Sequence, residues 1–188
     1  MADETYNIYN PYNNEIVGSV PIANSSTTDQ LLNNIEHSKV ILSSDEKKLI
    51  LENTANELEK NKFQYANLIT LETGLSLKDS SYEIGRVINC AKYSIKVCDY
   101  VNRDITEKFL IDEDNNPKLS VIKEPLDLAL AITPFNHPMN QVAHKIFPAL
   151  IAGTKVILKP SEKTPLSAIK LVEIMKKSGM PENFISVI

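Results

Sequence analysis

Glycine is scarce in this 188-residue sequence, which contains only five glycines. No two of them lie close together, so the chain has no glycine-rich loop of the kind that cradles a pyrophosphate on backbone amides. A nucleotide that binds here therefore does so without the usual backbone site for its phosphates.

The sequence also has few cysteines, since Cys90 and Cys98 are the only two. If the segment is helical, their spacing separates them by roughly 12 Å along the axis, too far for a disulfide. We therefore expect reduced thiols and a cytoplasmic protein. Neither cysteine is followed by the strand and turn that usually present a nucleophile, so we assign neither a catalytic role.

Long apolar runs and an excess of positive charge are both missing. No run approaches the roughly 18 residues that span a bilayer, and the polar N-terminus lacks the apolar core of a secretory signal. The net charge is −4, which offers no basic surface for nucleic acid. His137 and His144 have no carboxylate or cysteine at ligand spacing, so we expect no metal site. Neither a membrane nor a nucleic acid is expected as a partner.

Helical periodicity dominates the first half of the chain. One amphipathic helix is predicted to begin near Thr28, and its apolar face carries Leu31, Ile35 and Leu42. Ser43 and Glu46 have the spacing of a capping box and predict the start of a second helix. That helix is expected to continue to Gly74, a C-terminal stop. The apolar residues of its pattern are Leu51, Ala55, Leu58, Phe63, Ala66 and Leu71. A third, long helix carries the stripe Ile84, Ile88, Ala91, Ile95 and Cys98.

Strands are predicted after residue 102. Two apolar stretches, 109–111 and 119–122, flank a turn from Asp112 to Pro117 and predict a hairpin. The continuous apolar run from Leu128 to Ile132 predicts a strand that is buried on both faces.

An alternating strand–helix pattern completes the chain. A helix is predicted from Pro138 to Ala152, and a strand from Lys155 to Leu158. Thr164 as N-cap and Pro165 as first residue open a further helix. The chain then ends on a strand, 184–188. This order predicts an α/β fold with a parallel sheet, which stops as though in mid-domain because its last strand lacks a covering helix.

Asn136 is the first candidate functional residue, because it follows a strand end in the segment Ile132 to Pro138. Ligands of open α/β sheets bind at the carboxyl ends of strands, where the Asn136 amide could donate to a developing oxyanion. The alternative is that Asn136 only caps the following helix, and spacing alone favours that interpretation.

Lys159 and Glu162 form the second candidate, because they too lie between a strand end and a helix start. A lysine and a carboxylate three residues apart can bracket the hydroxyls of a ribose. The alternative is a solvated turn, which spacing alone again favours.

Residues 124–181, which include the motifs ITPFNHP and LKPSEKTP, closely resemble the start of the coenzyme-binding domain of the aldehyde dehydrogenase superfamily. Weaker likeness covers much of the rest, including Glu72-Thr73-Gly74 with Glu83 and Arg86. The resemblance implies an incomplete Rossmann-like parallel sheet with preceding helices and a projecting hairpin. The sequence around Asn136-His137-Pro138 resembles that of subfamilies that act on small, often anionic aldehydes such as phosphonoacetaldehyde or lactaldehyde.

The resemblance also implies roles by position. Asn136 matches the asparagine that stabilises the thiohemiacetal oxyanion. Lys159 and Glu162 match the pair that contacts the adenine ribose, and the carboxylate implies NAD, with NADP possible. The segment that lines the nicotinamide ribose is matched by Ile132, Thr133, Pro134 and Phe135.

Three regions are implied: residues 1–105 as the N-terminal helical part of the coenzyme-binding domain, 106–124 as an oligomerisation hairpin, and 125–188 as the truncated start of the NAD(P)-binding domain. The implied function is oxidation of a small-molecule aldehyde to a carboxylic acid by a homo-oligomeric enzyme. The family's catalytic cysteine and glutamate are expected beyond residue 188. The alternative is a non-catalytic module for subunit interaction or weak nucleotide binding.

We predict that the purified 188-residue chain does not oxidise aldehydes with NAD or NADP, because removal of the nucleophile removes the covalent route. The measurement is formation of reduced nucleotide with a panel of small aldehydes. Turnover that Asn136→Ala abolishes would contradict this prediction.

Overall fold

The computed structural model describes residues 4–101, 107–111, 117–121 and 124–188. Within them, a β-hairpin leads through four helices and a second hairpin into an alternating strand–helix unit. The strands are β1 (Thr5–Tyr9), β2 (Ile16–Pro21), β3 (Glu107–Ile111), β4 (Pro117–Val121), β5 (Leu128–Ile132), β6 (Lys155–Lys159) and β7 (Ile185–Val187). The helices are α1 (Ser25–Glu36), α2 (Ser44–Lys60), α3 (Lys62–Thr73), α4 (Leu77–Val101), α5 (Pro138–Ala152) and α6 (Leu166–Lys177).

The predicted starts and stops of the first helices are partly confirmed. Ser43 and Glu46 form the capping box of α2, with the Ser43 amide donating to the Glu46 carboxylate over 2.7 Å. Gly74 ends α3 at a φ of 76°, in the left-handed region that glycine adopts without strain. α1 begins earlier than predicted, because the Asn24 side chain accepts from the Thr27 amide and caps it.

Two helical predictions are wrong. α1 ends at Glu36, so Leu42 lies in the connection to α2 and not on the face of α1. The predicted second helix is broken at Asn61, whose φ of −112° and ψ of 27° leave the helical region. The Asn61 side chain donates to Glu57 over 2.8 Å, a local interaction by which asparagine competes with helix continuation. After the break Phe63 turns outward and is 70% exposed.

The long helix α4 carries the predicted apolar stripe into the core. Ile84, Ile88, Ala91 and Cys98 are buried, and Ile95 packs against them partly exposed. The core that they join contains residues of α2, α3, α5 and α6 and of the parallel sheet. The helical part and the strand–helix unit therefore share one core.

The α/β prediction is confirmed, because β5, β6 and β7 form a parallel sheet in that order. α5 has the predicted bounds and ends at Gly153, where φ is 90°. The predicted cap of α6 is wrong. Pro165 stands at the N-cap position, and the Thr164 hydroxyl donates instead to the Phe135 carbonyl over 3.2 Å.

Burial of β5 on both faces is not found in the described residues, where Leu130 is 62% and Ile132 59% exposed. The three strands follow one another in chain order. Right-handed crossovers therefore put α5 and α6 on the same face of the sheet. Ala131 lies on that face and is buried, whereas Leu130 and Ile132 lie on the other.

The second predicted hairpin is present as the antiparallel pair β3 and β4. Its predicted turn falls mostly on residues 112–116, outside the described residues. Its role in oligomerisation and the three proposed regions stay predictions. No helix in the described part of the chain is long and apolar enough to cross a membrane.

We predict that the 188-residue chain self-associates through the open face and edge of β5, because exposed apolar strand surface promotes association. Leu130→Lys should shift the population towards monomer, measured by size-exclusion chromatography with light scattering. Ile41→Lys is the matched control, because Ile41 is also exposed but lies outside this sheet. A sharp monomer peak for the unmodified chain would contradict the prediction.

Candidate active site

The carboxyl ends of β5 and β6 lie side by side. Ile132 is the register partner of Lys159 across the two strands. The Thr133 amide donates to the Lys159 carbonyl over 3.2 Å and extends the pairing by one residue. Ile132 and Lys159 therefore project from the same face of the sheet, and the buried Thr133 anchors the loop that follows β5.

Lys159 and Glu162 approach each other in the loop that follows β6. The Lys159 Nζ lies 3.9 Å from the Glu162 Oε2, and about half or more of each side chain is exposed. Both line a cleft of about 380 Å³, whose other lining residues include Pro21, Ile22, Ala23 and Ile188. The pair thus presents one donor and one acceptor to a ligand-sized space.

Asn136 lies in the loop between β5 and α5 and lines a second cleft, of about 450 Å³, together with Phe135, Glu162 and Lys163. Its interpretation as a helix cap is wrong, because His137 stands at the N-cap position of α5 and no side chain there makes the capping bond. The Asn136 side chain makes no hydrogen bond with another residue of the described ranges. Glu162 lines both clefts, so it connects Asn136 with the neighbourhood of Lys159.

The two loops also contact each other directly. The Phe135 carbonyl accepts from the Thr164 hydroxyl over 3.2 Å. The Lys163 Nζ lies 4.7 Å from the centroid of the Phe135 ring, within the range of a cation–π contact. Thr133 is buried, whereas Pro134 and Phe135, which follow it, are exposed. All seven residues predicted for the site therefore lie on two adjoining loops or on the strand ends from which these loops start.

Two residues that support the site were missed as functional by residue patterns. Glu83 on α4 is 1% exposed. Its Oε1 accepts from the backbone amides of Met139 and Asn140, each over 3.0 Å, and its Oε2 lies 3.2 Å from the His137 Nδ1. The sequence did contain a signal for Glu83, because it is a charged residue beside the apolar stripe of α4. A charge that is buried with such a stripe needs hydrogen-bond donors.

Glu72 on α3 is the second of these residues, and it accepts hydrogen bonds from the start of α6. Its Oε2 accepts from the Leu166 amide over 2.8 Å and its Oε1 from the Ser167 amide over 2.9 Å, and the Ser167 hydroxyl also donates to Oε1. Burial raises the pKa of Glu72, and the like charge of Glu83 adds to the rise, while the bonds from α6 oppose it.

Other reactive groups lie apart from these clefts. Cys90 and Cys98 lie on α4 and form no disulfide, and burial raises the pKa of both thiols, which disfavours the nucleophilic thiolate. No group of three potential metal ligands occurs within the ranges that the structure describes.

The sequence profile of the aldehyde dehydrogenase family matches residues 1–188. The chain is 36% identical to lactaldehyde dehydrogenase of Methanococcus aeolicus over 173 residues, which is 90% of this chain and 36% of the relative. It is 35% identical to aspartate-semialdehyde dehydrogenase 1 of Pseudomonas canavaninivorans over 96% of this chain and 39% of the relative.

Solved structures that superpose on this chain include enzymes that use or bind NADP. An E. coli NADP-dependent enzyme superposes with a TM-score of 0.88 at 29% identity, over 98% of this chain and 38% of that one. Glyceraldehyde-3-phosphate dehydrogenase GapN of Methanocaldococcus jannaschii, complexed with NADP, gives 0.85 at 27% identity, over 99% and 41%. The chain thus spans about two-fifths of the length of each of these four proteins.

We predict that Glu72→Gln gains stability relative to the unmodified chain as the pH rises above 4.5, the ordinary pKa of this group. A raised pKa means that the folded state binds more protons than the unfolded state between their two pKa values. The free energy of unfolding therefore falls with rising pH in that window, and glutamine lacks this dependence. Urea unfolding at several pH values measures the difference.

The control is Glu59→Gln, which changes an exposed glutamate on α2 and should leave the pH dependence unaltered. A constant difference between Glu72→Gln and the unmodified chain across this pH range would refute the assignment.

Proposed function

The chain belongs to the aldehyde dehydrogenase family, and from that membership we propose that its two loops bind NAD(P) and stabilise an oxyanion while an aldehyde is oxidised to a carboxylic acid. The observation that carries the proposal is that Asn136 and Lys159 line two clefts that share Glu162, at the carboxyl ends of β5 and β6.

Lys159 and Glu162 suit a ribose. A lysine ammonium only donates and a carboxylate only accepts, so together they match a hydroxyl pair. Glu162 accepts from the free hydroxyls of NAD and repels a 2′-phosphate, which favours NAD, although Lys159 leaves NADP possible. Bound NAD(P) supplies the hydride acceptor. Relatives have been solved with either form, GapN with NADP and betaine aldehyde dehydrogenase of Staphylococcus aureus with NAD+.

The residues at and after the carboxyl end of β5 are assigned to the nicotinamide end of the cofactor. Ile132, Thr133, Pro134 and Phe135 would line the nicotinamide ribose, as the family resemblance implies. Thr133 is buried and tied to β6, whereas Ile132 and Phe135 are exposed. The exposed pair can therefore contact a ligand while Thr133 holds the loop in place.

Asn136 is the proposed oxyanion donor. Its side-chain amide is exposed in the cleft, and α5 does not use it as a cap. An amide N–H aimed at a developing negative charge lowers the barrier of an acyl-transfer step, with removal of one such donor costing about 10²–10³-fold in kcat in well-studied cases.

The proposed substrate is a small aldehyde that carries an anionic group. The names of relatives include aspartate-semialdehyde, 2,5-dioxopentanoate and 3-sulfolactaldehyde dehydrogenases, whose substrates all carry an anionic group. A groove of about 520 Å³ between α4 and α5 contains Arg86 and His144 in its lining and no carboxylate. Arg86 lies one helical turn from Glu83 on α4, so this groove presents a cation to an anionic group.

We further propose a cytoplasmic homo-oligomer whose subunits meet through the β3–β4 hairpin. The support is that a two-stranded hairpin is marginal by itself and gains stability when a further strand pairs with its edge.

We predict that Glu162→Gln weakens NAD binding roughly ten- to hundredfold and reduces discrimination against NADP. The loss of a charge-assisted hydrogen bond costs about 1.5–3 kcal/mol. The test protein joins residues 1–188 to the segment of Methanococcus aeolicus lactaldehyde dehydrogenase that follows the matched region. Isothermal titration gives the dissociation constants for NAD and NADP, and the same protein is assayed with lactaldehyde, succinate semialdehyde and betaine aldehyde.

Glu173→Gln is the matched control. Lys170 and Glu173 also form an i,i+3 ion pair, half-buried on α6. They line a separate cleft that contains none of Asn136, Lys159 and Glu162, so NAD affinity should not change. Unaltered NAD affinity in Glu162→Gln would refute the ribose assignment. A preference for neutral lactaldehyde or cationic betaine aldehyde over anionic succinate semialdehyde would refute the substrate class.

A further inference from the structure

We propose that Glu83 is a positioning residue that sets the direction in which Asn136 presents its side-chain amide. The proposal rests on the function proposed above for Asn136. It starts from the observation that Glu83 belongs to α4, more than fifty positions earlier in the chain, yet bonds to three of the four residues that follow Asn136.

The contacts of Glu83 hold the loop on its C-terminal side. One carboxylate oxygen accepts from the Met139 and Asn140 amides over 3.0 Å, and the other lies 3.2 Å from the His137 Nδ1. This contact ties the His137 ring to the carboxylate. The residue directly after Asn136 is therefore fixed through its ring as well as through the helix that it begins.

The loop is held independently on its N-terminal side. The Phe135 carbonyl accepts from the Thr164 hydroxyl over 3.2 Å, and its ring faces Lys163. Asn136 thus stands between two tethered neighbours and has no side-chain hydrogen bond of its own to the described residues. Its direction follows from where the two tethers hold the backbone.

Glu83 is suited to this role because it cannot move independently of the core. Its neighbours on α4, Ile84 and Val87, are fully buried, and its own side chain is 1% exposed. A buried carboxylate that loses its donors is strongly destabilised, so the contact with the start of α5 is kept. Displacement of a catalytic group by about 1 Å costs on the order of 10²-fold in rate.

The test uses the joined protein described above. Glu83→Ala should lower kcat about tenfold or more and leave the KM for NAD within about twofold, since Lys159 and Glu162 are untouched. Glu83→Gln keeps an acceptor for the amides of α5 and should restore most of the lost kcat. An unchanged kcat in a folded Glu83→Ala variant would overturn the proposal.

A double-mutant cycle separates positioning from general stability. In the Asn136→Ala background, Glu83→Ala should cause no further loss of kcat, because the group that it positions is gone. Ser43→Ala is the stability control, because it removes the cap of α2 and should leave kcat unchanged in both backgrounds. Equal losses from Glu83→Ala with and without Asn136 would show a merely structural role.

A measurement that does not depend on enzyme activity tests the proposal if Glu83→Ala does not fold. In the nitrogen-15-labelled joined protein, the side-chain amide of Asn136 should become more mobile in Glu83→Asp, and its signal should shift, because the aspartate carboxylate is one methylene short of the α5 amides that Glu83 reaches. An unchanged signal would overturn the positioning role. If the unmodified joined protein gives the ordered amide but oxidises no aldehyde, the proposed function fails and the positioning of Asn136 stands.

Discussion

Two buried carboxylates from the helical part hold the N-termini of both crossover helices. Glu83 bonds to the start of α5 and Glu72 to the start of α6. Neither helix has a capping side chain of its own, since His137 and Pro165 occupy the N-cap positions. The free amides of a helix start carry partial positive charge, so a carboxylate is a strong acceptor for them. Burial of each charge is tolerable only with these donors present, and neither part of the chain is complete without the other.

The far end of α5 is held in the same way with the opposite charge. Lys47, buried on α2, donates to the Ile151 carbonyl over 3.3 Å near the end of α5, and desolvation lowers the pKa of its ammonium. A carboxylate at the start and an ammonium at the end both complement the helix dipole. Because α5 joins β5 to β6, its fixed position determines where the carboxyl ends of those strands lie relative to α4. The loop that carries Asn136 is therefore built from the helical part as much as from the sheet.

Local patterns were sufficient where the deciding interaction was itself local. The bounds of β5 and α5, the capping box at Ser43 and the glycine stop at Gly74 followed from residues within a few positions of each other. The pattern failed where a longer-range contact or a backbone choice decided. Helical periodicity ran through Asn61 without revealing the break that turns Phe63 outward. An apolar run such as β5 shows that burial is possible, but not how many faces its neighbours cover, so the exposure of Leu130 was not predictable.

The same distinction explains why spacing favoured the wrong role for Asn136. An asparagine just before a helix that begins with proline satisfies the short-range rule for a cap, an interaction worth about 1 kcal/mol. Glu83 offers the α5 amides a charged acceptor, and such bonds are roughly twice as strong as neutral ones. With the amides of Met139 and Asn140 engaged, the Asn136 side chain is released from the helix start and lines the cleft that it shares with Glu162. A buried carboxylate from a distant helix thus converts a local capping residue into a group that is available to a ligand.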